Sequence, residues 1–164
     1  MIKRNSKMID REFLSIIKDI TRTEEFGRLR EHRLHVNGTV YGHSVKVAYL
    51  CYKHHKQFGG KMDIKELVTG ALLHDYYLYD LHGDGKKHKL HWFRHPKAAL
   101  DNALERYPTL TRSQRDMIKH HMFPLTPIPP STRAGWIICL YDKVAAISDR
   151  FGKTKHKKTK KSTK

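Results

Sequence analysis

Cysteine is scarce in this sequence, and its scarcity excludes a disulfide scaffold. The 164 residues include only Cys51 and Cys139, and both lie in apolar surroundings of helical periodicity. Small secreted proteins that depend on disulfides contain many more cysteines. The spacing of these two residues also fits no zinc ribbon. We therefore expect a cytoplasmic protein.

Long apolar runs are also missing. No stretch approaches the roughly 18 consecutive apolar residues of a membrane span. The N-terminal segment carries charges throughout, where a secretion signal would have an apolar core: MIKRNSKMIDREFLSIIKDI. We therefore expect no membrane partner. A chain of 164 residues fits one domain with a buried core.

Acidic residues are few relative to basic ones. The chain has 33 Lys and Arg against 16 Asp and Glu, which gives a formal net charge of +17. Residues 153–164 contain seven lysines with no acidic or apolar residue, so we predict a disordered Lys-rich tail. Subtracting these seven charges leaves +10 for residues 1–152. A basic domain suits a small phosphorylated substrate, and the tail suits non-specific contact with nucleic acid.

Strand patterns and internal repeats are absent, and apolar residues recur at helical spacing along most of the chain. Residues 24–42 are less regular. A second helix is predicted over residues 43–58, where Gly59 and Gly60 end it. The first helix is predicted from four apolar residues that share one face: Phe13, Ile16, Ile17 and Ile20.

Turn and capping residues predict where the remaining helices begin. Asp63 is a candidate N-cap for a third helix, and Pro96 suits the first turn of a fourth. Thr111 and Gln114 can form a capping box for a fifth helix, and a sixth is predicted over residues 132–150. The sequence therefore predicts an all-α, single-domain fold.

Several polar residues fall on helix faces that are otherwise apolar. Asp75 extends the apolar face of the third helix, where an unpaired carboxylate is costly to bury. A single inward histidine is more often a hydrogen-bonded core residue, and 13 His with 10 Asp predict roughly 0.8 His-Asp pairs by chance. The joint pattern is harder to attribute to chance. Five of the predicted helices contribute an inward imidazole or carboxylate: His43, His74, Asp75, His95, His121 and Asp142.

Imidazole and carboxylate groups without thiolates are the ligands of a divalent metal site. This ligand set favours Mn, Fe, Zn, Ni, Co or Mg over a structural zinc knot. His120 and His121 compete for one of the positions. We prefer His121, because it continues the inward face that Met117 and Ile118 define.

Three segments resemble the signature segments of the HD-domain superfamily of metal-dependent phosphohydrolases. The chain as a whole resembles a small stand-alone member of bacterial type. The segments are HSVKVAYLCYKHH, ALLHDYYLYD and YDKVAAI. They supply the family's His, His-Asp pair and final Asp, and they span residues 43–142. The resemblance covers roughly residues 30–150 and implies an all-α bundle of the HD-domain type over residues 1–152. The matching positions are His43, His74, Asp75 and Asp142.

The resemblance also implies a mechanism. His95 and His121 resemble the two additional histidines of subgroups that hold two ions, so Asp75 would bridge one ion to a second. Such a site, with one or two ions, would hydrolyse a phosphate ester of a nucleotide or similar small molecule. Asp75 and Lys143 are the predicted catalytic residues, and the basic residues of the intervening loop are either phosphate ligands or an ordinary solvated loop. The loop candidates are Lys86, Lys87, Lys89 and Arg94.

Two other functions are compatible with these residues. Some relatives of the superfamily hold a di-iron centre with a similar set of ligands and oxidise a small substrate with O₂. A non-enzymatic basic module that binds nucleic acid is the other alternative. Its binding would weaken steeply with salt and would survive chelation of metal.

Overall fold

The computed structural model describes residues 2–32, 38–77 and 91–151, and these form seven α-helices without a strand. The predicted all-α fold is confirmed. The predicted tail, residues 153–164, and the predicted domain end at residue 152 lie outside the described residues. The helices are α1 (Ile2–Thr21), α2 (Glu24–Arg28), α3 (Val40–Phe58), α4 (Ile64–Leu73), α5 (His91–Arg106), α6 (Arg112–His120) and α7 (Arg133–Phe151).

Side-chain caps decide where the helices begin. Asp63 accepts hydrogen bonds from two backbone amides of α4, and Thr111 forms a capping box with Gln114 at α6, as predicted. Thr39 caps α3, which therefore begins at Val40, before the predicted start at residue 43. A short helix that the sequence pattern missed, α2, starts after an N-cap threonine and buries an aromatic ring against the core.

The prediction for the start of α5 was wrong. The helix begins at His91, so Pro96 lies in its second turn instead of its first. His95 is consequently part of the helix and not its N-terminal flank. Pro96 removes one backbone hydrogen bond. The burial of His95, Ala99 and Ala103 holds this part of the helix against the bundle and outweighs that loss.

The apolar helix α4 lies at the centre of the bundle. It packs against α1, α3 and α6, while α7 packs against α3 and α6, and α5 packs against α6. A side-chain carbon added to Gly70 would lie 2.6 Å from the sulfur of Met117, so glycine is what lets α4 and α6 approach closely. The residues that follow α4 are therefore delivered directly into the interior.

Two further features of the described residues concern the cysteines and the length of the helices. Cys51 and Cys139 are both buried with free thiols. Among the helices of the described ranges, none is long and apolar enough to cross a membrane.

Candidate metal centre

Two histidines reach the centre of the bundle from helix ends. His74 is the C-cap residue of α4 and His121 that of α6. The last carbonyls of a helix have no amide partner within the helix. Each ring donates to one of these carbonyls. Nδ1 of His74 lies 2.7 Å from the oxygen of Ala71, and Nδ1 of His121 lies 2.8 Å from the oxygen of Ile118. With Nδ1–H as the donor, each Nε2 presents its lone pair to the centre.

The first group of potential ligands joins α3, the end of α4 and α7. One ligand atom from each of His43, His74 and Asp75 lies within 4.8 Å of the others. Asp142 completes this side, because its Oδ1 lies 2.8 Å from Nε2 of His43 and 3.7 Å from Nε2 of His74. The Asp142 side chain is 13% exposed, more than the side chains of the other five residues, so solvent reaches the cluster at this carboxylate.

The second group joins the end of α4 to α5 and α6. Nε2 of His95 lies 3.0 Å from Nε2 of His121. Oδ1 of Asp75 lies 3.4 Å from the first of these atoms and 3.5 Å from the second. The other oxygen of Asp75, Oδ2, lies 3.4 Å from Nε2 of His74. Asp75 therefore belongs to both groups.

The electrostatics of the centre keep its carboxylates charged. Burial raises the pKa of Asp75, but the neighbouring imidazoles of His74, His121 and His95 outweigh burial and lower it. Burial likewise raises the pKa of Asp142, and its contacts with His43 and His74 bring it well below the usual range. For His43, burial lowers the pKa, while hydrogen bonds to carboxylates raise it to about 10. The interior therefore holds negative carboxylates beside imidazole rings, and this combination can bind a cation.

Two buried atoms of the cluster show that a cation fits this centre. Nε2 of His74 and Oδ1 of Asp75 have no hydrogen-bond partner among the described residues. Leaving such an atom buried and unpaired costs about 1–3 kcal/mol. Divalent metal ions held by the two groups would give each of these atoms a partner, and nitrogen and oxygen donors suit such ions.

The structure brings all six predicted ligands together and leaves their neighbour His120 outside. Nδ1 of His120 lies 2.9 Å from Oδ1 of Asp116, a carboxylate that contacts the residues just before α7. His121, the residue preferred from the sequence, occupies the cluster. The adjacent histidines of α6 therefore belong to two separate networks.

The predicted phosphate-binding residues are less well placed. The ammonium group of Lys143 donates to the carbonyls of His121 and Cys139, at 3.1 Å each. Arg94 is exposed on α5, directly before His95. Lys86, Lys87 and Lys89 lie outside the described residues. The roles of these residues stay predictions.

A carboxylate that the sequence analysis did not identify stands behind His43. Oδ2 of Asp149 lies 3.5 Å from Nδ1 of His43, and Oδ1 of Asp149 lies 2.6 Å from the ammonium of Lys46. A usable signal exists in the sequence. Asp149 follows Asp142 by two helical turns, so both project from the same face of α7.

The comparison with protein families agrees with the resemblance drawn from the sequence. The family described as HD domain matches residues 40–151, which include α3 to α7 and all six clustered residues. Neither the curated proteins nor the solved structures yielded a match to the chain.

Proposed function

Because the chain belongs to the HD-domain family of the metal-dependent phosphohydrolases, we propose that it hydrolyses a phosphate ester of a nucleotide or similar small molecule. The observation that carries the proposal is the position of Asp75, whose carboxylate faces both ligand groups. The basic composition of the chain supports an anionic substrate.

The ligand groups suggest two divalent ions that share Asp75. His43, His74 and Asp142 would hold one ion, and His95 and His121 the other. When bound, such ions would supply Lewis-acid chemistry, which polarises a phosphoryl oxygen and lowers the pKa of a water molecule. The candidate ions are Mn, Fe, Zn, Ni, Co and Mg.

The residues around the site fix the orientation of these ligands. The carbonyls of Ala71 and Ile118 hold the rings of His74 and His121 before any ligand arrives. Little side-chain entropy is then lost on binding. The Asp142 side chain, the most exposed of the six, lies on the side from which a phosphate ester and the attacking water would enter.

Two neighbouring cations are candidates for contact with substrate phosphate. Lys143 follows Asp142 on α7, and its two backbone hydrogen bonds leave one N–H donor for a substrate oxygen. Arg94 projects into solvent one residue before His95 and can pair with two phosphate oxygens in bidentate fashion. Asp75 and Lys143 remain the proposed catalytic residues.

The neighbouring residues His120 and His121 allow a matched test, because only His121 lies in the cluster. Metal content would be measured by elemental analysis, and phosphate release would be assayed on a panel of phosphate esters with Mn²⁺ or Co²⁺. We expect His121→Gln and Asp75→Ala to lose bound metal and phosphate release. We expect His120→Gln to retain both, because its ring contacts Asp116 and not the cluster. Absence of bound metal, with activity unchanged by Asp75→Ala, would refute the proposal.

The same preparation separates the proposal from its alternatives. Bound iron with substrate-dependent O₂ consumption and no phosphate release would indicate the di-iron oxygenase. Nucleic-acid binding that survives chelation of metal and weakens steeply with salt would indicate the basic binding module. Deletion of residues 153–164 then tests whether such binding comes from the tail alone.

A further inference from the structure

The two ring nitrogens of His43 face different carboxylates. Nε2 lies 2.8 Å from Oδ1 of Asp142, on the side of the metal centre. Nδ1 lies on the opposite side of the ring, 3.5 Å from Oδ2 of Asp149. A histidine binds a metal through one nitrogen while the proton sits on the other, so whatever accepts that proton decides which nitrogen is free.

His43 cannot use the kind of acceptor that orients the other two rings. His74 and His121 lie at helix ends and donate to carbonyls that the helix leaves without an amide. His43 lies inside α3, where the helix uses the neighbouring carbonyls for its own hydrogen bonds. An acceptor for its Nδ1–H must therefore come from another element, and Asp149 of α7 is in that position.

Lys46 holds the Asp149 carboxylate against α3. Its ammonium lies 2.6 Å from Oδ1 of Asp149 and 3.1 Å from the hydroxyl of Ser148. Lys46 and His43 are three residues apart in α3, so they share a face of the helix. The two oxygens of Asp149 are thus divided between these two donors. Both members of the Lys46–Asp149 pair are about a third exposed, at 35% and 34%. Such an exposed ion pair contributes little to stability.

We propose that Asp149, held by Lys46, is a positioning residue for the metal centre. Its carboxylate accepts the Nδ1–H of His43 and so presents the Nε2 lone pair to the ion. This role rests on the metal centre of the proposed function but not on its chemical reaction. Carboxylates behind metal-binding histidines typically contribute about 10–100-fold to metal affinity.

Titration of Co²⁺ into the metal-free protein, against a competing chelator, tests this role. Asp149→Ala is expected to lower Co²⁺ affinity about 10–100-fold. Lys46→Met leaves the Asp149 carboxylate in place but removes the ammonium that holds it, so we expect a smaller loss of Co²⁺ affinity. The matched control is Asp101→Ala, since Asp101 of α5 forms an exposed ion pair with Lys97 at the same 2.6 Å but contacts none of the cluster. The control should bind Co²⁺ like the wild type.

A second measurement separates positioning from a general effect of charge. Nitrogen NMR of labelled histidine in the Zn²⁺-loaded protein reports which ring nitrogen of His43 is protonated. Because a ring that binds Zn²⁺ through Nε2 keeps its proton on Nδ1, we expect this form in the wild type with slow proton exchange, and faster exchange of the same proton in Asp149→Ala. If that variant does not fold, Asp149→Asn replaces it. The asparagine amide offers one acceptor to the two donors, so the same changes are expected at smaller size.

Three results would overturn the role of Asp149. The first is Co²⁺ affinity equal to that of the Asp101 control, and the second is lowered affinity with an unchanged exchange rate of the His43 Nδ1 proton. The third, a wild-type protein that binds no Co²⁺, would refute the metal centre as well. A protein that binds Co²⁺ with the expected Asp149 effect but hydrolyses no ester would contradict the proposed function alone.

Discussion

Asp75 and Asp116 are equally buried carboxylates with different surroundings. Their exposures are 7% and 6%. Asp116 accepts hydrogen bonds from the backbone amides and hydroxyls of Ser131 and Thr132, and it also contacts His120. Asp75 faces imidazoles instead, and its Oδ1 has no hydrogen bond from any described residue. Burial is the same in both cases, and the supply of donors differs.

This difference separates a structural carboxylate from a candidate ligand. Asp116 ties α6 to the two residues that precede α7, and Thr132 in turn accepts the amide of Gly135 in the first turn of α7. Its charge is fully compensated by the protein. Asp75 is compensated in charge but not in hydrogen bonds, which leaves a position for a cation. Substitutions at the two sites should therefore have opposite consequences for binding and for folding.

The largest expected effect is on metal binding. Asp75→Asn removes the charge that both ligand groups share. Because loss of even an outer hydrogen-bond partner costs about 10–100-fold in metal affinity, we expect a loss of more than about 100-fold. Phosphate release should fall on the order of 10³-fold, since the ions supply several kcal/mol of transition-state stabilisation. Asp116→Asn should leave the Co²⁺ affinity of the folded protein unchanged. Equal losses in both variants would contradict the distinction.

The second-largest effect is on stability, where we expect Asp116 to matter more than Asp75. Asp116→Ala leaves the amides and hydroxyls of Ser131 and Thr132 without their acceptor at the start of α7. We expect the free energy of unfolding to fall by about 3 kcal/mol, as for a buried group that loses its partner. Urea denaturation of the metal-free protein measures this loss. If Asp116→Ala lowered the free energy of unfolding by less than Asp101→Ala, which removes an exposed carboxylate, the Asp116 network would not be structural.

The third effect is a dependence of stability on acid. Burial raises the pKa of Asp116, but hydrogen bonds from Thr132 and Ser131 outweigh it and lower this pKa from 3.8 to about 2. The folded state therefore binds this proton more weakly than the unfolded state. The resulting stability, about 2 kcal/mol, is fully present above pH 3.8 and is lost as the pH falls through 2. Urea denaturation from pH 6 to about pH 2 should show a shallower acid slope in Asp116→Asn. An unchanged slope would contradict the shift.

The smallest effect concerns the space beside Asp116. A methyl group at Gly135 would lie 2.6 Å from Oδ2 of Asp116 and 2.5 Å from Cβ of Pro130. Overpacking costs about 1–3 kcal/mol, and better helix propensity returns up to about 1, so Gly135→Ala should destabilise by about 1 kcal/mol. Gly42→Ala is the control, because its methyl would meet Thr39 at an ordinary 3.5 Å. Thermal unfolding should show a lower midpoint for the first variant and an equal or higher one for the second.

Much of the candidate site could be predicted from the sequence because its residues break short-range patterns. Asp75 and His121 each follow an apolar helical stripe, which indicates burial without knowledge of any neighbour. Asp116 escaped notice because its donors, Ser131 and Thr132, are 15 and 16 residues away in the chain. The spacing from Asp142 places Asp149 on the same face of α7, but its contact with His43 exists only once α3 and α7 are adjacent. Pro96 gave a wrong helix start because packing of the preceding turn outweighed its local preference.

The sequence by itself determined the all-α class, the caps at Asp63 and Thr111, and the family to which the chain belongs. Those features depend on helical periodicity and on hydrogen bonds between residues a few positions apart. Only the tertiary structure decided that Asp75 faces two groups of ligands, that His121 enters the cluster while His120 contacts Asp116, and that Asp149 stands behind His43. Apart from the His120–Asp116 contact, which lies within α6, each of these contacts joins different elements and exists only where packing of the bundle brings them together.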